Sequence, residues 1–437
     1  MVTEQRRRQT GSTRAVVVAA LLVAGSVAVG LVLVANDVLL YLGGPLLAAA
    51  WDPRLEPGVL APVLVGGALL LYAGRLAGGL AWARLLPLAG LAAAAWAVAL
   101  ALVDGASGLT RGLSSTHDYL NDVPRVTSIA DLLSGYVANI PGDSAAAWTT
   151  HVGGHPPGPL LAFAVLDSIG LGGTGWAALL CIGAGASAVP AMLIATRVIT
   201  GEGAARAAAP FLVLAPAAIW LATSADALFL GVSAWGIAAL VVAARASSGW
   251  LALVGGVLMG ATLFLSYGML LLGPLALAVI LVRRNWRVLA VAAGGVLLVM
   301  ATFAVAGFWW LSGLFATMDR VSSGAAAQSR PAWFFVFANL AVVAVAIGPA
   351  GVAGLGQVVS RAHRRTTVAL LPLGALAGIL IADLTLLSKG EVERIYLPFF
   401  GWLLTATALL DEGQRRRWLV AQAGTALAVQ LLVRTSW

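Results

Sequence analysis

Charge is what this sequence has least of. Only 10% of its 437 residues are Asp, Glu, Lys or Arg, against about 25% in a soluble domain. That shortage excludes a water-facing surface over most of the chain. Lysine is nearly absent: 25 of the 26 basic residues are arginine, and Lys389 stands alone. A single cysteine, Cys181, excludes an intrachain disulfide, and its apolar surroundings make it a small packing residue.

What fills the sequence is apolar. These residues make up 60% of it, with a mean hydropathy of +0.95, and they gather in runs of about 20, the length that crosses a bilayer core. The pattern predicts an all-α polytopic membrane protein. Thirteen spans are expected, near 15–36, 59–74, 86–103, 175–196, 207–223, 227–243, 250–266, 268–282, 288–310, 333–350, 366–386, 397–410 and 418–434. The net charge of +8 then reports topology and not nucleic-acid binding, because the basic residues lie between spans and form no basic face. The run from Ala15 to Asn36 is too long for a signal-peptide core, so MVTEQRRRQTGSTR is expected to precede a retained first span.

Alternating from a cytoplasmic amino terminus puts 18 of the 26 basic residues inside, among them Arg14, Arg197, Arg206, Arg283, Arg364, Arg365 and Arg417. Of the acidic residues only Glu4, Glu202, Asp411 and Glu412 fall on that side, which places the chemistry outside. The chain divides into a tail (1–14), spans (15–103), a large outer loop with an interfacial helix (104–174) and a bundle with a charged late loop (175–437). Gly158–Gly172 is expected to lie in the interface, and 38–51 to form a re-entrant hairpin broken at Gly43–Pro45.

Candidate chemistry sits in that outer region. Asp118 and Asp122, in STHDYLNDVPRV, are four residues apart; on one helical turn they would share a face and raise each other's proton affinity, as a base near neutral pH requires. Helix capping explains the pair equally well. His151 and His155 have the spacing of a helical zinc pair, but Gly153, Gly154 and Pro156 oppose a helix there, and HPPG reads as a turn that launches the interfacial helix and brings an imidazole to the site. Asp226 begins a span, where it is either a functional carboxylate or a first-turn acid favoured by the helix dipole, with Ser224 as a cap. Asp383 falls inside a span and is expected to face the bundle interior. The densest signal is SKGEVERIYLP, where Lys389, Glu391, Glu393 and Arg394 crowd the lip of a span. An interface anchor explains any one of these cations. A site for a lipid-linked phosphate explains why the only ammonium stands beside two carboxylates.

Three short motifs occur in order: Asp118-Tyr119, then His155-Pro156-Pro157, then Ser388-Lys389 with Tyr396-Leu397-Pro398. The series resembles the GT-C membrane glycosyltransferases, above all the protein-mannosyltransferase and aminoarabinose-transferase branch, over about residues 86–410. Asp226 is similar to an acidic residue that recurs early in one of that branch's spans. This chain departs from the pattern in lacking a Glu after Asp118, and in carrying the loop after its third span and not its first. The STHDYL, GHPPG and KGEVERI segments further resemble a group of actinobacterial membrane proteins of the methylthioxylose-transferase type. The resemblance implies inverting transfer from a polyprenyl-phosphate sugar to a cell-envelope glycan or glycolipid, outside the cytoplasmic membrane. It implies Asp118 as the base with Asp122 beside it, and Lys389 and Arg394 on the leaving phosphate. His155, Asp226, Glu391, Glu393 and Tyr396 complete the donor site. No cofactor is firmly implied, and a divalent cation is compatible. A lipid-linked sugar flippase and a non-catalytic assembly partner are the rival readings. A flippase needs charges lining a path from both sides, and a partner needs no catalytic Asp.

Overall fold

A computed structural model of the protein describes residues 2–144, 146–222, 224–282, 284–361 and 367–436. Arg283, Arg364 and Arg365, on which part of the topology expectation rests, lie outside the described residues. Helix α1 (Val2–Ala35) runs straight through the expected tail into the first span. Residues 38–48 do not make a helical hairpin: Gly43 takes φ 73°, Pro45 follows, and the segment bends into a short strand β1 (Ala49–Trp51). Helices α2 (Leu60–Gly79) and α3 (Trp82–Ala101) lead into the large loop. That loop is a train of 3-10 turns carrying α4 (Ile129–Gly135), α5 (Thr150–Gly153) and α6 (Gly158–Ser168). Pro156-Pro157 does launch α6, with Pro157 as its N-cap.

The bundle continues with α7 (Thr174–Thr200), α8 (Glu202–Val213), α9 (Asp226–Ala246), α10 (Gly249–Leu265), α11 (Gly273–Val282) and α12 (Trp286–Val305). Two short helices, α13 (Trp310–Ser323) and α14 (Ala325–Ser329), precede α15 (Ala332–Arg361) and α16 (Leu370–Leu384). A single turn, α17 (Val392–Ile395), then leads to α18 (Leu397–Leu404), α19 (Glu412–Leu432) and strand β2 (Val433–Thr435). β2 pairs antiparallel with β1, Ala50 opposite Arg434. Among the described residues, eight helical stretches are long and apolar enough to cross a bilayer. The expected span 418–434 falls on α19, which is long and unbroken but not among those eight, and the other remaining ones fall on shorter or broken helices. The 207–223 run is the clearest case: α8 ends at Val213, and Pro216 starts a 3-10 turn (Pro216–Trp220) whose residues are all buried. The protein is a helical, multi-pass membrane protein.

Small residues let the helices approach. A Cβ on Gly256 of α10 would meet the Ala292 carbonyl of α12 at 2.1 Å, and one on Gly231 of α9 would meet the Ala184 carbonyl of α7 at 2.4 Å. A kink in α15 at Gly348 (φ 66°) and Pro349 frees backbone groups, which lipid cannot satisfy. Gln422 of α19 answers them, accepting from Ala350 N at 3.1 Å and donating to Ile347 O at 2.8 Å.

The charges are sorted between the two ends of the bundle. At one end Arg197 and Arg206 pair with Glu202 and lie over Trp82, and Arg206 also caps the Ala77 and Leu80 carbonyls at the α2–α3 turn. At the other end the 104–157 loop, the start of α9, α13–α14 and the 388–394 segment all meet. The second end holds the candidate site.

Candidate active site

Asp118 is not on a helical turn with Asp122. Each acid instead leads its own 3-10 turn, Tyr119–Asn121 and Val123–Arg125, because Pro124 cuts the segment short. The two carboxylates therefore go to different partners. Asp122 is buried and fully engaged: Arg125 lies at 2.7 Å, and Thr149 donates through both its N–H and its hydroxyl at 2.8 Å. It pins the chain just before α5. Asp118, 3% exposed, accepts from Tyr119 N at 2.8 Å and faces His151 Nδ1 at 3.0 Å. The His151 amide also bonds the His117 carbonyl at 2.9 Å, so backbone and side chain both hold the two strands of the loop in register.

His151 continues the chain of contacts. Its Nε2 lies 3.3 Å from Arg394 NH2, while Arg394 NH1 donates to Asp226 Oδ2 at 2.9 Å. A proton on Nδ1 and a lone pair on Nε2 satisfy both neighbours, so the two contacts select one tautomer. Asp226, at the first position of α9, is braced by the Ser224 hydroxyl at 2.6 Å, and its own N–H bonds Ser224 Oγ. Ser224 thus acts on Asp226 and not as the N-cap, which is Ala225. The result is a buried line, Asp118–His151–Arg394–Asp226, drawn from four separate segments. Burial alone would lower the Arg394 pKa, but Asp226 and Glu391 beside it raise it above its ordinary value, so its charge is permanent. Glu391 is shifted down: burial opposes this, but Arg394 at 3.6 Å and Arg330 at 3.0 Å outweigh it.

The other residues of the SKGEVERIYLP cluster shape the segment. Lys389 donates to the carbonyls of Ala327 and Arg330. Glu393, with no solvent exposure, accepts from Ala48 N at 3.0 Å and so ties the 38–48 bend down. Tyr396 is buried against Phe399, and its hydroxyl finds no hydrogen-bond partner among the described residues. Gly390 (φ 91°) and Glu391 (φ 60°) both take left-handed backbone, a cost accepted at Glu391 because the turn points its carboxylate at two guanidinium groups. Asn339 of α15 fixes this turn, bonding Asp383, the Ser388 carbonyl and Gly390 N. Asp383 faces the bundle interior, as its position in a span requires.

Sequence reasoning weighed His151 only as half of a zinc pair and favoured the imidazole of His155. The structure puts His151 against Asp118, whereas His155 bonds the His151 carbonyl at 2.8 Å and packs on Tyr119 and Phe229. Arg330 was missed altogether. It bonds the Leu40, Tyr41 and Lys389 carbonyls as well as Glu391, and the only hint was a lone arginine just before a span. Both Asp118 oxygens are engaged, by Tyr119 N and His151 Nδ1, while at Asp226 the donors Ser224 and Arg394 share Oδ2. Among the described residues no group of three His, Cys, Asp or Glu gathers to hold a metal.

Burial makes His155 a reporter of this packing. Burial lowers its pKa from 6.5 to about 4; Asp226 and the bond to the His151 carbonyl oppose the shift, and Arg394 adds to it. The folded state therefore resists a proton that the unfolded chain takes up below pH 6.5. Stability is full above that value and falls as the pH drops towards 4, by at most about 3 kcal/mol. Thermal unfolding in detergent should show His155→Gln losing less between pH 7 and 4.5 than the parent protein; equal losses would exclude His155 as a source.

No known family matches the sequence, and no curated protein does. Among solved structures, the crystal structure of the Archaeoglobus fulgidus oligosaccharyltransferase, a complex with zinc and sulfate, aligns with a TM-score of 0.48 at 13% identity. The alignment covers 80% of this chain and 53% of that one, so the chain spans about half the length of that protein.

Proposed function

We propose that the protein is a GT-C-type glycosyltransferase. It takes a sugar from a polyprenyl phosphate and transfers it with inversion to a cell-envelope glycan or glycolipid, on the outer side of the cytoplasmic membrane. The observation that carries this reading is the buried line Asp118–His151–Arg394–Asp226, which links an acid of the large loop to a permanent cation of the late loop. Transfer from a lipid phosphate needs those two groups: a base for the acceptor hydroxyl and fixed positive charge for the leaving phosphate. Asp118, held by Tyr119 N–H and His151, takes the hydroxyl proton as the oxygen attacks the anomeric carbon. The bond from that carbon to the phosphate oxygen breaks, its electron pair stays on the phosphate, and Arg394 and Lys389 stabilise the new charge. Lys389 must leave the Ala327 and Arg330 carbonyls to do so, and the donor phosphate is the stronger acceptor.

A crevice of about 310 Å³ beside the Asp118 turn is lined by Leu120, Val123, Phe163, Leu166 and Ala177, which gives apolar room for the start of a lipid tail. Methylthioxylose as the sugar, and a lipoarabinomannan-type mannan as the acceptor, rest on the STHDYL, GHPPG and KGEVERI segments alone. The purified protein in lipid nanodiscs, given mixed polyprenyl-phosphate sugars and envelope glycans, is expected to transfer sugar. In proteoliposomes, movement of the labelled donor across the bilayer without transfer would make it a flippase. Neither transfer nor movement would leave an assembly partner.

A further inference from the structure

Helix α13 joins two helices that cross the membrane, α12 and α15, so it lies at one face of the bilayer. Its residues sort onto two opposite sides. Leu311, Phe315 and Met318, at i, i+4 and i+7, are 41%, 59% and 50% exposed, on a helix that starts shortly after α12 ends at the exposed Val305. An exposed apolar stripe on a helix that links two spans has the bilayer itself as its occupant. The opposite side carries Gly313, packed on Tyr267 and Phe308, and Thr317 and Arg320, turned towards the large loop.

That inner side grips the backbone around His151. Arg320 spreads its two terminal nitrogens over the Ile140 carbonyl at 2.7 Å and the Trp148 carbonyl at 2.9 Å. Thr317 donates to the Gly153 carbonyl at 3.2 Å. Gly153 leaves no room for a side chain, since a Cβ there would lie 1.9 Å from Arg320 NH1. From the other direction the Tyr136 hydroxyl shares its one proton between the carbonyls of Val152 and His155, at 2.8 and 3.1 Å. Residues 148, 152, 153 and 155 are thus all held by their carbonyls, and His151 sits between them. Each of these bonds ends on a backbone carbonyl.

We propose that α13 is a membrane-seated clamp and that Arg320 is a positioning residue, holding His151 against Asp118 because the apolar stripe of the same helix is anchored in the bilayer. A planar guanidinium suits two carbonyls at once, and an ammonium serves one. The kinetic part of this inference rests on the glycosyltransferase reading; the structural part does not.

The test uses the full chain in lipid nanodiscs and reads two quantities. Amide hydrogen exchange over 146–155 needs no knowledge of the substrate. Arg320→Ala is expected to speed it about tenfold, the size of one lost net hydrogen bond, with the spans unchanged. The pair Leu311→Ser and Phe315→Ser, which leaves Arg320 in place, is expected to do the same. In the transfer assay, Arg320→Ala should lower kcat about tenfold or more with donor KM within twofold, and Arg320→Lys should recover part of the loss. A residue that merely supported folding would lower the active fraction without this recovery or the local exchange. Unchanged exchange in Arg320→Ala overturns the clamp. Faster exchange in Arg320→Ala but not in the apolar pair overturns the membrane seat. Faster exchange in both, with a parent protein that transfers no sugar, supports the clamp and removes the glycosyltransferase reading. Should Arg320→Ala fail to fold, Arg320→Lys is read in its place, with the same outcomes at smaller size.

Discussion

Asp118→Asn is expected to lower sugar transfer by about 10²–10⁴-fold, the range for loss of a positioned base, in protein that still folds. The replacement has the same shape, and its amide oxygen can keep the bond from Tyr119 N. Its NH₂ group, however, would then meet His151 Nδ1–H donor to donor. The imidazole could relieve that clash only by moving its proton to Nε2, where it would face Arg394. One atom change thus removes the base and disturbs the tautomer on which the line to Arg394 depends. Asp122→Asn should behave differently. Its carboxylate is occupied by Arg125 and Thr149, so the loss should reach the reaction only through the placement of α5, and should be smaller. Initial rates per folded molecule, with both variants in one preparation series, decide this. A fully active Asp118→Asn would remove the base assignment, and Asp226 would become the next acid to examine.

The membrane architecture was legible because hydropathy and length are enough to mark a span. Hydropathy does not mark where such a run breaks. The 207–223 run is as apolar as its neighbours, yet its helix ends at Val213 and Pro216 opens a 3-10 turn, which a core position tolerates because surrounding helices cover the freed backbone. The β1–β2 pair could not be read at all, since two three-residue strands at opposite ends of the sequence leave no periodic pattern.

At the site, Asp118, Asp226 and Arg394 each stood out singly as a charge in an apolar setting. Their meeting did not, because the contacts join residues 168 and 243 positions apart in sequence. Choosing between His151 and His155 needed the register of the 117–118 turn against 150–151, which is a backbone bond and leaves no mark on composition. Charge alone also hid what the cluster around Lys389 does. Glu393 and Glu391 look equivalent in sequence, yet one serves the Ala48 amide and the other two arginines.

Arg394 and Lys389 are expected to fail in different ways, and the difference decides how the leaving phosphate is held. Arg394→Lys keeps the charge but has one nitrogen where two are used, so it must abandon either Asp226 or His151. A charge-assisted contact is worth about 1.5–3 kcal/mol, so transfer should fall roughly ten- to a hundredfold. Removing the charge as well, in Arg394→Ala, leaves Asp226 buried without its cation, and such losses cost about 3–5 kcal/mol of stability. The lysine variant is therefore the cleaner probe. Lys389 is half-buried, and its two carbonyl contacts join the 388–391 turn to the end of α14. If it moves to the donor phosphate, Lys389→Ala should raise donor KM by a similar ten- to a hundredfold while Lys389→Arg retains most of its function, because a point charge is all that is needed there. If it is only a tie between two segments, Lys389→Ala should lower the unfolding temperature and leave donor KM per folded molecule where it was. Measuring both quantities on the same preparation separates the two, and an unchanged KM would leave Arg394 as the sole phosphate contact of this cluster.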